Sequence, residues 1–383
     1  MSVYLDFNSS VPIHEEVLNC MMDVYRNVPG NSDSRTHEFG ELARKTVEDA
    51  RGKVASILNV NSDEVFFTSG ATESDNIAIQ GLREYGITSN KKHIITTTIE
   101  HKAVLETVKI MGKQGFEIDF VNPDSTGRIS SEELLCKLRD DTLLVSVMHV
   151  NNETGIIQPI KEIGDVLAKN NILFHVDATQ SFGKLVDELK EVKYDMLSMS
   201  AHKIGGPQGV GALILKKRGY KLPPIKPIIF GGQQEHGIRP GTVPVALVAG
   251  LGKACEIAQK DYKKNNDKCK KIKEKIISMV EDSDLQFVFN GNQNYAIDNT
   301  LNICICGVAS EALMLSSKGY CGISNGSACN SKSYSPSYVL SAMEIPVEQI
   351  ENSIRISWGP DLQISDVEEA FGKLLDTAKK LVW

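Results

Sequence analysis

No apolar run in the chain approaches the roughly 18–20 residues that a membrane helix requires, so no membrane span is expected. The opening residues, MSVYLDFNSS, lack a basic stretch followed by an apolar one. That pattern gives no expectation of a signal peptide and leaves the cytoplasm as the expected location. An excess of positive charge is also missing. The 383 residues carry 42 Lys and Arg against 49 Asp and Glu, a formal charge of -7. Direct nucleic-acid binding, which draws on clustered Lys and Arg, is therefore not expected. The eight cysteines (Cys20, Cys136, Cys255, Cys269, Cys304, Cys306, Cys321 and Cys329) include no CxxC pair and are spread thinly. This argues against both a disulfide framework and a zinc site, and no metal is expected. Internal repeats and low-complexity tracts are absent.

What the chain does have is an alternation of strand-like and helix-like segments from about residue 45 to residue 215. ELARKTVEDARGKVASILN reads as an amphipathic helix, EVFFTS as a strand, and ESDNIAIQGLREYG as the helix after it. HIITTTIE, FEIDFVN, LLVSVMHV, ILFHVD, MLSMSA and GALILK continue the strand series, with helices between several of them. Several of these strands are nearly continuous apolar runs, as expected where both faces of a mostly parallel sheet are covered. The fold class is α/β. PVALVAGLGKACEIAQKDYKKNNDKCKKIKEKIISMVED predicts one long helix or two, its Lys-rich part a solvated face. The remainder predicts a smaller α+β unit with strands at QFVFN, LNICIC and SIRISW. The expected division is a large domain over 14–255 and a small one over 1–13 and 256–383, the latter carrying a cysteine loop at 322–335. In LNICIC, alternation puts Cys304 and Cys306 on one strand face, where buried structural thiols are the simplest reading.

Polar residues gather where the apolar runs stop. In FTSGATESDN a strand ends at Ser69, Gly70 and Ala71 follow, and a helix begins near Thr72. Such a start either binds an anion or is plainly capped by Thr72, and alone it favours the plain cap. ILFHVDATQ ends a strand in Asp177, with Gln180 just beyond. A carboxylate there either caps a helix or meets a ligand outside the carboxyl ends of the strands. In MLSMSAHKIGGPQGVG, Ser200, His202 and Lys203 close another strand before a glycine-rich turn. A lysine so placed suits attachment of pyridoxal phosphate, with Asp177 able to pair with the pyridine nitrogen. EHKAV puts His101 at a further strand end, where an imidazole can stack on a ring and shuttle protons. MHVNNETG places Asn151, Asn152 and Glu153 in the same way, and FGGQQEHGIRPGT carries Arg239 and Thr242. In SNGSACNS, Cys329 sits among small residues, a setting for an accessible thiol whose reactivity requires a lowered pKa or a nearby base. Without the other motifs an incidental loop cysteine is the simpler reading.

Together these segments resemble the NifS/IscS family of pyridoxal-phosphate-dependent cysteine desulfurases. The resemblance runs in order through SRTHEFG, TSGATESDN, EHKAV, MHVNNETG, HVDATQSFGK, SAHKIGGPQGVGAL, the IRPGT loop, GSAC, PSYVLSAM and SIRISWG. GSACxS points to the branch with the long cysteine loop. The resemblance implies the aspartate-aminotransferase-like fold (fold type I) in a homodimer with sites at the subunit interface. It implies that Lys203 holds the cofactor covalently, Asp177 pairs with the ring nitrogen, Gln180 with the ring hydroxyl, and His101 stacks on the ring. Thr72, Ser200 and His202 would bind the cofactor's phosphate, joined by Thr242 from the second subunit, and Ala71 would also contact the cofactor. Asn152 and Arg355 would hold the substrate, L-cysteine, and Cys329 would take its sulfur as a persulfide, releasing L-alanine. The sulfur would pass to an acceptor protein for iron–sulfur cluster assembly or thiolation.

The sequence departs from the family pattern in four places. NSSVP (8–12) replaces N-A-T-T-P and NSDSR (31–35) replaces N-P-S-S-R. Ala201 stands for the Gly before His-Lys, and His236 for a frequent Arg. None removes a group that the core reaction needs, and together they suggest a divergent member. Alternatives are a desulfurase dedicated to DNA phosphorothioate modification, another enzyme of this cofactor such as an aminotransferase or selenocysteine lyase, and a weakly catalytic sulfur-relay protein.

Overall fold

The computed structural model describes residues 2–326 and 336–382. Its central element is a seven-stranded sheet built from β2 (Val65–Thr68), β3 (His93–Thr97), β4 (Glu117–Val121), β5 (Thr142–Met148), β6 (Leu173–Asp177), β7 (Met196–Ser200) and β8 (Gly211–Leu215). The spatial order is β2-β8-β7-β6-β5-β3-β4. Every pairing is parallel except those of β8, which runs antiparallel to both β2 and β7. Six strands therefore share one direction and end on one edge. The mostly parallel α/β expectation is met, with β8 as its single reversal among the described strands.

The continuous apolar runs follow from coverage on both faces. Adjacent residues of one strand join different cores: Phe67, Ile95, Val145 and Phe174 face one cluster, while Phe66, Ile94, Leu144 and Leu173 face the other. Helix α2 (Glu38–Leu58) covers the first face, contributing Val47, Val54 and Leu58. Helix α3 (Ala71–Gln80) covers the second with Ile77, Ala78 and Ile79. The expectation of one helix over ESDNIAIQGLREYG is corrected: α3 ends at Gln80, and a separate helix spans Arg83–Thr88. At the junction a Cβ on Gly81 would stand 2.7 Å from Ile225 Cγ2, so close packing fixes the break there.

A third cluster lies apart from these, around Leu5, Ile303, Ile356, Trp358 and Phe371. It packs under an antiparallel sheet of β9 (Phe287–Phe289), β10 (Thr300–Ile305) and β12 (Ser353–Ser357), and under the short parallel pair β1 (Val3–Tyr4) with β11 (Cys321–Gly322). The Lys-rich stretch is one helix, Val245–Glu281. Its first part supplies Val248, Leu251 and Cys255 to the sheet core, and its last part supplies Ile272, Ile276 and Val280 to the third cluster. Cys304 is buried as expected, whereas Cys306 is only half-buried, at the strand's end.

A buried ion pair helps to tie down the glycine-rich segment around residues 233–242. Arg51 of α2 donates two 2.8 Å hydrogen bonds to the two oxygens of Glu235, and the Phe67 N–H donates a third at 2.7 Å. Glu235 and its neighbour His236 hold left-handed backbone angles, φ 46° and 56°. Removing one partner of a buried pair leaves the other charge uncompensated in a dry site. Glu235→Ala is therefore expected to lower stability by about 3–5 kcal/mol, read as a lower urea midpoint. An unchanged midpoint would show that the loop is held by something else.

Candidate active site

The shared strand direction brings the polar segment ends together around a cavity of about 500 Å³. Lys203 and His202 stand just beyond β7, Asp177 ends β6, Asn152 follows β5, and His101 follows β3. Gly70, Ala71 and Thr72 enter at the start of α3, after β2, and Ser200 and Gln180 complete the lining. Nine of the eleven site residues singled out by sequence that lie within the described chain, all but Thr242 and Arg355, thus border one space. Cys329 lies outside the described residues.

Each group is held in a defined state. Lys203 Nζ donates to the carbonyl of Asn8 and, at 2.7 Å, to that of Ser9. Burial, with the charges of Lys184 and Arg355 adding to it, pulls this ammonium down to about 7. Lys184 and Lys203 also line a neighbouring cavity of about 370 Å³. His101 caps the helix Lys102–Lys113, its Nδ1 accepting the Ala103 N–H at 3.1 Å. That bond leaves the proton of the neutral ring on Nε2, and burial lowers the imidazolium pKa further. Asp177 Oδ1 accepts the Thr179 N–H at 2.9 Å. Gln180 donates to the Asn8 carbonyl, while its own Oε1 is buried without a partner among the described residues. Thr179 Oγ1 and Asn152 Oδ1 are buried and unpartnered in the same sense.

The rim near α3 is open to an anion. Thr72 is not the helix cap, as one reading of the sequence had it. Gly70 holds that position, with no side-chain cap. Gly211 lets this turn approach the sheet, since a Cβ there would sit 2.4 Å from the Met199 carbonyl oxygen and 2.7 Å from Gly70 Cα. Uncapped N–H groups at a helix start favour negative charge. Arg239 reaches the same region by pairing with Glu73 at 3.0 Å, and this draws the glycine-rich loop toward α3. Thr242 is exposed on that loop and does not border the cavity of its own chain.

Arg355, on β12, is buried and already engaged. Its Nη2 pairs with Asp6 at 2.6 Å, and Nη1 donates to the Asn152 carbonyl at 3.0 Å. Its Nε has no partner among the described residues. Two neighbours carry signals too weak to find in sequence, and a third is placed by sequence without a role. Asp6 is a single carboxylate near the start of the chain. Asp75 resembles any polar residue of an amphipathic helix. Glu153, placed by MHVNNETG without a role, accepts a hydrogen bond from Ser337 Oγ and packs on Gly326, where a Cβ would stand 2.7 Å from Glu153 Oε2. Gly326 and Ser337 lie on either side of the Cys329 segment. Burial pushes Glu153 up to about 7.

An amine at about 7 is half neutral at neutral pH, while an ordinary lysine titrates near roughly 10.4. In protein free of added ligands, labelling of Lys203 by acetic anhydride, followed by peptide mass spectrometry, is expected to rise to half its maximum near pH 7. A rise only above pH 9 would mean that the ammonium is not depressed.

The Aminotransferase class-V family matches residues 3–370. A cysteine desulfurase IscS of Pasteurella multocida (strain Pm70) is 42% identical, over 98% of this chain and 94% of its own length. Among solved structures, a NifS-like protein superposes with a TM-score of 0.91 at 35% identity, covering 100% of both chains. DndA from Streptomyces lividans gives 0.80 at 38% identity, over 93% of this chain and 99% of its own. On this full-length agreement of sequence and fold, the chain belongs to the Aminotransferase class-V family, among relatives that are cysteine desulfurases.

Proposed function

We propose that this protein is a pyridoxal-phosphate-dependent cysteine desulfurase: L-cysteine is its substrate, Cys329 receives the sulfur, and an acceptor protein takes it onward. The observation that carries the reading is the cavity in which Lys203, Asp177 and His101 meet beside the uncapped start of α3. These residues fit the cofactor. A depressed lysine amine suits its aldehyde, a carboxylate at a strand end suits its pyridine nitrogen, and the α3 turn with Ser200 and His202 suits its phosphate. The unpartnered Gln180 Oε1 and Thr179 Oγ1 agree with a polar ligand in this space.

When bound, the cofactor supplies an electron sink for the negative charge that develops at the substrate Cα. The chain's residues do the rest. Lys203, largely deprotonated above pH 7, is the nucleophilic amine that would hold the cofactor and, when free, would accept the Cα proton at Nζ. Asp177, at the end of β6, would pair with the ring nitrogen. His101, neutral with its proton on Nε2, faces the cavity as a donor near the ring. Arg355 grips the substrate carboxylate in place of Asp6, aided by the Asn152 side chain. The Cys329 thiolate attacks the substrate sulfur. An S–S bond forms, the Cβ–S bond breaks with its electrons going to carbon, and Cβ takes a proton. The products are L-alanine and a Cys329 persulfide, so atoms and electrons balance without an outside oxidant.

The assembly is a homodimer in which Thr242 serves the second subunit's site, which accords with its exposed position away from its own cavity. Iron–sulfur cluster assembly and thiolation are the destinations proposed for the sulfur. Alanine release from L-cysteine by cofactor-loaded protein, wild type beside Cys329→Ser, tests the reading. The variant is expected to keep the cofactor's visible absorbance but form no persulfide and lose turnover. Full turnover in the variant would overturn the role of Cys329. Bound cofactor in the wild type with no alanine, even with an acceptor protein added, would overturn the activity.

A further inference from the structure

Beneath the cavity floor lies a buried polar row that the mechanism above does not use. On the face of the sheet covered by α3, Ser146 (β5) stands level with His175 (β6), and Ser198 (β7) stands level with Asp177 (β6). His175 Nδ1 meets Ser146 Oγ at 2.8 Å, and Nε2 meets Ser198 Oγ at 2.9 Å. Asp177 follows on the same face, two residues along β6, because side chains alternate along a strand. Helix α3 lowers Asp75 onto this row. Its Oδ1 stands 3.5 Å from His175 Nε2, the side chain is fully buried, and it borders the same cavity as Asp177. Neither Asp75 oxygen accepts a hydrogen bond of ordinary geometry among the described residues, although the Ser198 hydroxyl lies close enough to favour its charged form somewhat.

We propose that Asp75 is a positioning residue that stands as a neutral carboxylic acid at neutral pH, leaving Asp177 to carry the charge that meets the cofactor's ring nitrogen. The proposal deepens the desulfurase reading and rests on it for the cofactor. The geometry separates the two carboxylates. Asp177 accepts a backbone N–H, which favours its charged form. Asp75 accepts no backbone N–H, is fully buried, and faces Asp177. Two neighbouring carboxylates in such a site do not both ionise readily. The groups facing Asp75 are His175 and Asp177 from β6, Ser198 from β7, and Glu100 beyond β3. Burial first, and then the charge of Asp177, push Asp75 well above the usual carboxylate range. Burial also holds His175 down to about 4, so the imidazole offers no positive charge to ionise Asp75. Glu100 is raised by burial to about 8. Its Oε1 accepts from Thr97 Oγ1 and the Met148 N–H, and its Oε2 is unpartnered.

A carboxyl whose pKa is raised by folding contributes fully below its unfolded value, roughly pH 3.9, and loses that contribution as pH rises toward its folded value. Asparagine copies the shape of the neutral acid and does not titrate. In cofactor-free protein, Asp75→Asn is therefore expected to unfold at a higher temperature than wild type at pH 7–8, with the gap closing toward pH 4. No gap, or a variant less stable at pH 7, would mean an ionised Asp75 paired with protonated His175, and would overturn the proposal. Infrared difference spectra between wild type and variant provide a second readout. A carboxylic-acid carbonyl band present in wild type at pH 7 and missing in the variant supports the assignment, and no such difference overturns it. With pyridoxal phosphate added, Asp75→Asn is expected to keep the wild-type visible band, whereas Asp177→Asn shifts it. An equal shift in both variants overturns the division of charge. Absence of any visible band in wild type would defeat the cofactor reading instead, leaving the stability and infrared results intact.

Discussion

The common direction of six strands is the constraint on which the rest depends. Because β2, β3, β5, β6 and β7 all end on one edge, residues far apart in the chain, from Gly70 to Lys203, meet without any of them having to reach. Coverage of the sheet on both faces makes that edge the place where polar side chains meet space and not hydrocarbon. The antiparallel β8 does not interrupt this, since its first residue, Gly211, lies beside the end of β7 and lets the α3 turn close against the sheet.

Electrostatics follow from this placement. The site sets buried cations, Lys203, Lys184 and Arg355, against the carboxylates Asp6 and Asp177, with Asp75 and Glu100 close by. Low dielectric strengthens each interaction and penalises each unpaired charge. Lys203 is driven toward the neutral amine that nucleophilic attack requires, by burial more than by any single neighbour. The same desolvation drives Asp75 and Glu100 toward their acid forms. One physical cause therefore produces a neutral amine and neutral acids around a carboxylate that keeps a backbone hydrogen bond.

The strand ends were legible in the sequence because apolar runs covered on both faces stop abruptly at polar residues. Asp177, Lys203 and His101 stand out for that reason, and the ordered family motifs added the roles. Contacts between distant segments were not legible. Asp6 meets Arg355 across almost the whole chain, through β1 and β12, and neither segment announces the other. Asp75 lies on a helix face whose pattern, with Ser74 and Asp75 beside Ile77 and Ala78, looks like an ordinary amphipathic boundary. Only the register of β5, β6 and β7 reveals that this face covers a row of polar side chains. The extent of the long helix was ambiguous because its two ends serve different cores while its middle is solvated.

Under the proposed desulfurase reading, the Arg355–Asp6 pair would bear on how substrate enters. A guanidinium left alone in this buried place is costly, and Asp6 together with the Asn152 carbonyl supplies the compensation. A substrate carboxylate that takes the place of Asp6 exchanges one anion for another. The charge near Lys203 is then unchanged, and so is the contribution of Arg355 to its depressed pKa. Asp6 is partly exposed and regains water when released. The exchange therefore strands no charge on either side, and the unpartnered Nε of Arg355 offers the incoming carboxylate a donor that Asp6 leaves unused. On that reading the resting pair would preorganise the arginine and would favour a ligand that brings its own carboxylate.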